Sequence, residues 1–310
     1  GKIAKIKLNR PEAMNALNES LVEQLGSALD LLNSRDDVDT IVLEGAGKAF
    51  VAGADVKFFV DKINQDAIKE IYDFTAYGHE VLNKLEKSEK TTIALTTGLA
   101  LGGGLELALS CDYRIGTRRS QFRFPETSIG IFPGLGGTQR TPRICGIEAA
   151  RYAILAGNFL DSETASALGI ITHLVESSDI PNIINEISLE GKPENKYPAE
   201  PKDKNHPSSM FAMKFYKNEN MSKIMSGKIP DNFEEDNKKV VRQMKSLSFT
   251  APIALEIANQ LLNDAISTGD DLDRGLNLEL AQLNTIFESK DALEGLSALI
   301  EGRRPKYHNL

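Results

Sequence analysis

Short apolar runs alternate with longer amphipathic stretches through the first 175 residues. The apolar runs have the length of β-strands and cover residues 4–9, 40–43, 92–97 and 113–116. The amphipathic stretches repeat apolar residues at helical spacing. They cover residues 19–33, a segment from 55 onward, 67–85 and 105–110. This alternation predicts an α/β domain with parallel strands.

The pattern changes after Val175. Residues 191–209 contain four prolines and many charges, which predicts a loop or linker that buries little. Residues 210–248 read as short helices, and the chain is strongly helical from Ala251. One face of this last region carries an apolar stripe of Leu272, Leu276, Leu280, Leu283, Ile286 and Phe287. We therefore predict a core at 1–175, an insertion at 176–248 and a C-terminal helical region at 249–310.

Composition narrows the classes of function. The chain has 310 residues, of which 41% are apolar and 26% charged, as in ordinary globular proteins. Its net charge of -8 argues against a nucleic-acid-binding protein. The most apolar stretch, residues 92–110, approaches the length of a membrane span. It contains Glu106 and three consecutive glycines, so a strand, a turn and a buried helix are the better interpretation, with no membrane association.

Cysteine and histidine usage argues against several kinds of site. Cys111 and Cys145 lack the CxxC spacing and fit a reducing, cytoplasmic environment, and no signal peptide opens the chain. The four histidines are scattered singly, and we expect each to lie at the surface or to cap a helix: His79, His173, His206 and His308. The sequence therefore predicts neither a Ser-His-Asp triad nor a metal site.

Two glycine-rich turns each lead from a predicted strand into a helix, at residues 52–55 and 102–104. Glycine allows a ligand to approach the backbone, and the start of a helix leaves N–H groups unpaired. Two such turns that face each other could bind one carbonyl oxygen between two N–H donors. On glycine content alone, the alternative that these turns serve only packing stays open.

Two carboxylates stand in apolar surroundings. Glu106 follows the three glycines within an apolar helix, and Glu126 follows Pro125 next to the apolar segment 129–137. Burial and mutual repulsion raise or split the pKa values of such a pair, which suits general acid–base catalysis near neutral pH. The segment GLGGTQR lacks the last glycine and the early-strand context of a dinucleotide fingerprint.

Four segments resemble, in order, the signature blocks of the crotonase (enoyl-CoA hydratase/isomerase) superfamily. They are LNRPEAMNALN, KAFVAGADVK, LALGGGLELALSCDYRI and FPETSIGIFPGLGGTQRTPR. The resemblance covers residues 1 to about 175 closely and resumes from about 249 to 304. It implies a crotonase (ClpP-like) fold, in which a spiral of ββα units precedes a helical region.

The resemblance also implies roles for individual residues. The N–H groups of Ala54 and Gly103 would form an oxyanion hole, and Glu106 and Glu126 would be the two acid–base residues. The pocket walls are expected to include Phe59. Further substrate-binding residues are expected at Ala52, Gly53, Asp55, Lys57, Phe58, Gly134 and Leu135.

The implied reaction belongs to fatty acid metabolism: syn addition of water to a trans-2-enoyl-CoA, giving a (3S)-3-hydroxyacyl-CoA. The resemblance implies no cofactor beyond the coenzyme A of the substrate, and a homotrimer or hexamer. Many relatives with other reactions keep only one of the two glutamates, so both together favour hydration. A Δ3–Δ2 enoyl-CoA isomerase or an acyl-CoA hydrolase is the alternative within the family. An RNA-binding relative is the alternative outside catalysis.

Two departures from the family pattern carry further expectations. The insertion at 176–248 is longer than in the usual hydratase. It resembles that of archaeal fusion proteins, which predicts an NAD-binding 3-hydroxyacyl-CoA dehydrogenase domain ahead of Gly1. Near the end, Leu299 and Gly302 stand where hydratases often place a Phe and a Lys beside the coenzyme. Arg303 and Arg304 follow directly, so the group that binds the coenzyme phosphates is left open.

Overall fold

A computed structural model describes residues 2–308. Its larger sheet has five parallel strands in the order β1-β2-β4-β6-β9. These strands are β1 (Ile3–Leu8), β2 (Thr40–Gly45), β4 (Thr91–Thr96), β6 (Tyr113–Gly116) and β9 (His173–Leu174). Every residue of β4 is buried, as expected for the middle of a parallel sheet with both faces covered.

A second, smaller sheet has four strands, and three of them come directly after a strand of the larger sheet in the sequence. Its order is β3-β5-β7-β8, parallel except for the last pair. These strands are β3 (Ala49–Ala52), β5 (Leu99–Leu101), β7 (Gln121–Arg123) and β8 (Leu160–Asp161). Because β3, β5 and β7 are parallel neighbours, their carboxyl ends meet at one edge of the sheet.

The helices of the core connect these strands. They are α1 (Glu19–Asn33), α2 (Val56–Asn64), α3 (Ile68–Glu86), α4 (Gly103–Ser110), α5 (Gly137–Cys145), α6 (Ile147–Ile154) and α7 (Ser162–Leu168). Asn18 caps α1 by accepting from the N–H of Leu21, as predicted. Strand pairs followed by a helix recur at β2-β3-α2 and β4-β5-α4, so the predicted ββα units are present.

Four helices lie in the predicted insertion: α8 (Ile180–Glu190), α9 (Pro207–Phe215), α10 (Asn218–Met225) and α11 (Lys238–Leu247). Residues 191–206 contain no helix or strand, in agreement with the predicted linker. The expectation that this linker buries little is wrong at two positions. Nζ of Lys196 lies 2.8 Å from Oε1 of Glu86, and the hydroxyl of Tyr197 donates to the same oxygen at 2.8 Å. The linker is therefore bound to α3 by partly buried polar contacts.

The C-terminal region is helical, as predicted. It contains α12 (Pro252–Ser267), α13 (Leu272–Ala281), α14 (Leu283–Phe287) and α15 (Lys290–Glu301). Four members of the apolar stripe are buried and two are partly exposed. The buried members are Leu276, Leu283, Ile286 and Phe287. Within residues 2–308, no helix is both long and apolar enough to cross a membrane.

Candidate active site

A cavity of about 460 Å³ opens where β3, β5 and β7 end. The turns after these strands line one side, and α14 and α15 line the other. The lining includes nine of the predicted site residues: Ala52, Gly53, Ala54, Phe59, Gly103, Glu106, Glu126, Gly134 and Leu135. Residues from four separate segments of the sequence therefore meet at one cavity.

Glu106 lies in the first turn of α4 and is 2% exposed. Its Oε1 accepts from the N–H of Leu135 and the N–H of Gly137, both at 2.7 Å. In the described part of the chain, Oε2 has no hydrogen-bond partner. One oxygen is thus fixed by the protein, while the other is available to a molecule in the cavity.

Glu126 begins the 3-10 turn Glu126–Ile129 and is 6% exposed. Its Oε2 is buried and has no hydrogen-bond partner among residues 2–308. Its Oε1 lies beside Gly102, where a Cβ atom would come within 2.3 Å of it. Gly102 has a φ of +48°, so both its backbone conformation and this close approach require glycine.

The electrostatics of the two glutamates favour the protonated forms. Burial raises the pKa of Glu126 to about 8, and the negative charge of Glu279 adds to the rise. Burial also raises the pKa of Glu106 well above its ordinary value. The negative charges of Glu126 and Glu279 raise it further, each by less than burial does. The N–H groups of Gly137 and Leu135 oppose part of that rise. A pair that shares one proton near neutral pH has an acid and a base side by side.

The two residues predicted to supply backbone N–H donors line the same cavity from different turns. Gly103 is the first residue of α4, where N–H groups lack partners within the helix. Ala54 lies between two backbone hydrogen bonds, made by Gly53 and Asp55 with Leu17, and its own N–H donates to no backbone carbonyl within residues 2–308. A Cβ atom on Gly103 would lie 3.9 Å from the nitrogen of Ala54, so the two turns are close neighbours.

Apolar side chains form the inner wall of the cavity. Phe59 and Phe287 stack with ring centroids 5.3 Å apart, and Phe74 lies 6.2 Å from Phe59. Leu135 lies between the backbones of α3 and α4, since a Cβ on Gly78 would come within 2.7 Å of its side chain. The wall therefore suits an acyl chain.

Three predicted substrate-binding residues do not line the cavity. Asp55 forms an ion pair with Arg10, at 3.7 Å. Phe58 packs against Phe59 and Phe74, and Nζ of Lys62 lies 5.6 Å from its ring. Lys57 likewise lies outside the cavity lining. The roles assigned to these residues stay predictions.

Leu299 on α15 and Arg303, just after this helix, belong to the cavity lining, whereas Gly302 and Arg304 lie outside it. Arg303 donates to both oxygens of Glu294, at 2.6 and 2.8 Å. The guanidinium of Arg304 lies 5.5 Å from the ring centroid of Phe249. Of the two arginines, Arg303 is therefore the nearer basic group to the mouth of the cavity.

Sequence reasoning missed Glu279 and misplaced His79. Glu279 is fully buried on α13, and its carboxylate accepts from the N–H of Gly136 at 2.6 Å. His79 is 4% exposed, so the expectation of a surface or capping role is wrong here. His206, by contrast, caps α9 as expected. A signal for Glu279 was present, because it stands three residues after Leu276 and four before Leu283, on the apolar stripe.

Comparisons with known proteins agree with this architecture. Residues 3–309 match the family model described as enoyl-CoA hydratase/isomerase. A solved enoyl-CoA hydratase from Rhodobacter sphaeroides superimposes with a TM-score of 0.82 at 23% identity, over 99% of this chain and 90% of that one. The chain therefore belongs to the enoyl-CoA hydratase/isomerase family, and the predicted crotonase fold is confirmed.

Two curated relatives refine that placement. A short-chain-enoyl-CoA hydratase from Clostridium acetobutylicum is 29% identical over 98% of this chain and 93% of its own length. An enoyl-CoA isomerase/hydratase from Mycosarcoma maydis is 31% identical over 96% of this chain and 89% of its own length.

Within the described residues, no group of three or more His, Cys, Asp and Glu side chains is arranged to bind a metal ion.

Proposed function

We propose that this protein is an enoyl-CoA hydratase, which adds water across the C2=C3 bond of a trans-2-enoyl-CoA to give a (3S)-3-hydroxyacyl-CoA. One observation carries the proposal: Glu106 and Glu126, both buried, line the same cavity as the two turns that contain Ala54 and Gly103. A hydratase needs an acid and a base for water, together with donors for the thioester oxygen. The name of the Clostridium relative supports the same reaction.

The thioester carbonyl would accept from the N–H groups of Ala54 and Gly103. Negative charge develops on this oxygen when water adds to C3, because the electrons of the double bond move toward the carbonyl. The start of α4 carries a partial positive charge that favours this enolate. Each such donor is typically worth about 10²–10³ in rate.

The two glutamates would divide the proton transfers. Oε2 of Glu106 accepts a proton from the water as its oxygen bonds to C3, while Glu126 gives its proton to C2. The products of this step are the hydroxyacyl thioester, a protonated Glu106 and an ionised Glu126. A proton shift between the two neighbouring carboxyl groups then restores the starting state.

Crotonyl-CoA is the test substrate. Loss of its conjugated-thioester absorbance, with 3-hydroxybutyryl-CoA as the product and the 3S configuration established by a stereospecific dehydrogenase, would support the proposal. A parallel reaction with a trans-3-enoyl-CoA tests the isomerase alternative. Migration of that double bond without hydration of crotonyl-CoA would reject the hydratase assignment.

Three further expectations belong to this proposal: a homotrimer or hexamer, a cytoplasmic location and a 3-hydroxyacyl-CoA dehydrogenase domain in the same polypeptide. The dehydrogenase domain is expected because the 3-hydroxyacyl-CoA formed by hydration is the substrate of such an enzyme. Light scattering tests the oligomer. Calorimetry should find that this chain binds a CoA thioester and does not bind NADH, because the dinucleotide site would lie in the other domain.

A further inference from the structure

A buried carboxylate lies beneath the loop that binds Glu106. Glu279 projects from α13 and is completely buried. Its Oε1 accepts from the N–H of Gly136 at 2.6 Å, and its Oε2 accepts from the hydroxyl of Thr138. A buried carboxylate is unfavourable without such donors, so both contacts belong to one built arrangement.

Successive N–H groups of this loop alternate between two carboxylates. Those of Leu135 and Gly137 donate to Oε1 of Glu106, whereas the one between them, of Gly136, donates to Glu279. Gly136 has a φ of +96°, a left-handed conformation that turns its own N–H away from its neighbours. The hydrogen bond from Gly136 to Glu279 therefore restrains the same short loop whose two neighbouring N–H groups bind Glu106.

His79 and Arg140 complete the support of the loop. Nε2 of His79 lies 2.7 Å from the carbonyl oxygen of Gly134 and 3.3 Å from Oε1 of Glu279. Because a carbonyl only accepts, this nitrogen carries the proton. Nη1 of Arg140 donates to the carbonyl oxygen of Leu135 at 3.2 Å. The loop is thus bound by polar side chains from α3, α5 and α13.

We propose that Glu279 is a positioning residue of the active site, which orients the 134–137 loop so that two N–H groups converge on Glu106 and leave its other oxygen for the reacting water. The proposal rests on the hydratase function given above. Glu279 does not line the cavity, so it acts through the loop rather than on substrate.

The charge of Glu279 has a second, separable effect. It raises the pKa of both Glu106 and Glu126, in each case after the larger effect of burial. The charged or titratable groups that face Glu279 are His79 on α3, Arg140 on α5 and the two catalytic glutamates. Removing this charge lowers the pKa of the acid, so the high-pH limb of the kcat/KM profile moves to lower pH.

Two variants separate geometry from charge. Glu279→Gln keeps the length of the side chain and one acceptor oxygen but removes the charge. Glu279→Asp keeps the charge but is shorter, so it cannot maintain the contact with Gly136. We expect kcat to fall about 10- to 100-fold in both, with KM nearly unchanged, because the catalytic group is misplaced while substrate binding persists. The high-pH limb should move only in Glu279→Gln.

The matched control is Asp112→Asn. Asp112 is another buried carboxylate, which accepts from the N–H of Thr92 at 2.9 Å and lies outside the cavity lining. We expect its kcat and pH profile to match those of the wild type. A similar loss of kcat in this control would indicate a general effect of buried carboxylates and would overturn the proposal.

Hydrogen exchange of residues 133–138, followed by mass spectrometry, gives a readout that does not depend on activity. It should accelerate in both Glu279 variants and not in Asp112→Asn. If Glu279→Gln does not fold, Glu279→Asp carries the test. Normal kcat together with normal exchange in a folded Glu279 variant would overturn the proposal. A wild type that does not hydrate crotonyl-CoA would instead reject the hydratase function.

Discussion

At the scale of single residues, the active site is defined by carboxylates kept away from water. Glu106 and Glu126 are each less than 10% exposed, and both have raised pKa values. Such groups destabilise a fold, because the unfolded chain ionises them more readily. In the proposed reaction the same burial suits an acid and a base near neutral pH, so catalysis and stability would be opposed at these two positions.

Replacing either glutamate with glutamine should abolish most of the turnover. We expect Glu106→Gln and Glu126→Gln each to lower kcat by about 10²–10⁴-fold, the usual range for general acid–base groups. The double variant should resemble the worse single one, because the two glutamates act together in one step of the reaction. Hydration of crotonyl-CoA measures this, with calorimetric binding of the thioester as the control. A single variant that retains near-normal turnover would refute the role given to that residue.

The stability that Glu126→Gln gains over the wild type should depend on pH. The pKa of Glu126 is about 8 in the folded protein against an ordinary value of 4.5. Below the ordinary value the group is protonated in both states and costs nothing. As the pH rises through this window the unfolded state ionises first, so the wild type loses stability and the neutral glutamine does not. We expect the variant to be more stable by about 1–3 kcal/mol near pH 7.5.

Urea denaturation at several pH values measures this difference. The gain of Glu126→Gln over the wild type should disappear at and below about pH 4.5. A gain that does not change with pH would indicate a packing effect rather than ionisation.

The resemblance to the family predicted residues that line the cavity, but it did not predict the residue that holds the cavity loop in place. Glu106 and Glu126 were expected from the sequence and lie at the cavity. Glu279 was missed, although it interrupts an apolar stripe, because its partner Gly136 lies 143 residues earlier. A helical pattern indicates which face is buried, but it does not identify a loop on the other side of that interface.

At the scale of elements, two successive glycines at the start of α4 serve different purposes. A Cβ atom on Gly104 would lie 2.1 Å from the carbonyl oxygen of Val51, so this position allows close packing of α4 on β3. The closest atoms to a Cβ atom on Gly103 would be the side-chain ends of Leu135 and Leu17, at 3.2 Å, with the nitrogen of Ala54 farther away at 3.9 Å. One glycine is thus needed for packing and the other for access to the cavity.

Gly103→Ala should therefore fold and lose activity. Its methyl group would crowd the thioester beside the N–H donors, and we expect kcat/KM to fall about 10²-fold, the worth of one such donor. Gly103→Val should be inactive or fold poorly. Gly104→Ala is the comparison variant, and we expect it not to fold. Its methyl group would overlap the backbone of Val51, which cannot move aside as a side chain can. Circular dichroism with the hydratase assay distinguishes the outcomes, and an active, folded Gly103→Val would exclude an oxyanion hole at this turn.

Lys196 should contribute to stability although it lies in an irregular linker. Its Nζ donates to Glu86 and to the carbonyl oxygen of Ser110, each at 2.8 Å, and its side chain is 12% exposed. We expect Lys196→Met to lower the free energy of unfolding by about 1–3 kcal/mol, because a buried carbonyl loses its donor. Faster proteolysis between residues 191 and 206 should accompany the loss.

Lys192→Met is the matched control in the same linker. Its Nζ lies 3.8 Å from Asp112, and its side chain is 39% exposed. Exposed ion pairs typically contribute about 0–1 kcal/mol, so little change is expected. Equal losses in the two variants would show that the linker responds to any loss of charge. Composition predicted the irregular backbone here, but prolines and charges do not reveal which lysine becomes buried.

At the scale of the whole molecule, both halves of the chain build the cavity. The strand ends supply the polar groups, whereas α14 and α15 supply Leu283, Phe287 and Leu299. Strand and helix order could be predicted from hydrophobic periodicity. The closure of the cavity by the last helices could not, because it depends on how the apolar stripe docks against α2 and α3.

Phe287→Leu tests this closure. Removing the ring that stacks on Phe59 enlarges the acyl end of the cavity, at a cost of about 1–2 kcal/mol in stability. We expect the ratio of kcat/KM for an eight-carbon enoyl-CoA to that for a four-carbon one to rise several-fold. Phe215→Leu, which alters a buried ring stacked on Phe211 in the insertion, is the control and should leave the ratio unchanged. An unchanged ratio in Phe287→Leu would place the acyl chain elsewhere.

The contact between Gly136 and Glu279 makes enzymatic activity a late signal in folding. The two residues are 143 positions apart, and closing so large a loop is entropically costly, so such contacts form slowly. The core can acquire its strands and helices while the loop still lacks its support from α13. During refolding from urea, the far-ultraviolet circular dichroism should therefore recover before hydration of crotonyl-CoA does. In Glu279→Gln, the lag between the two signals should lengthen.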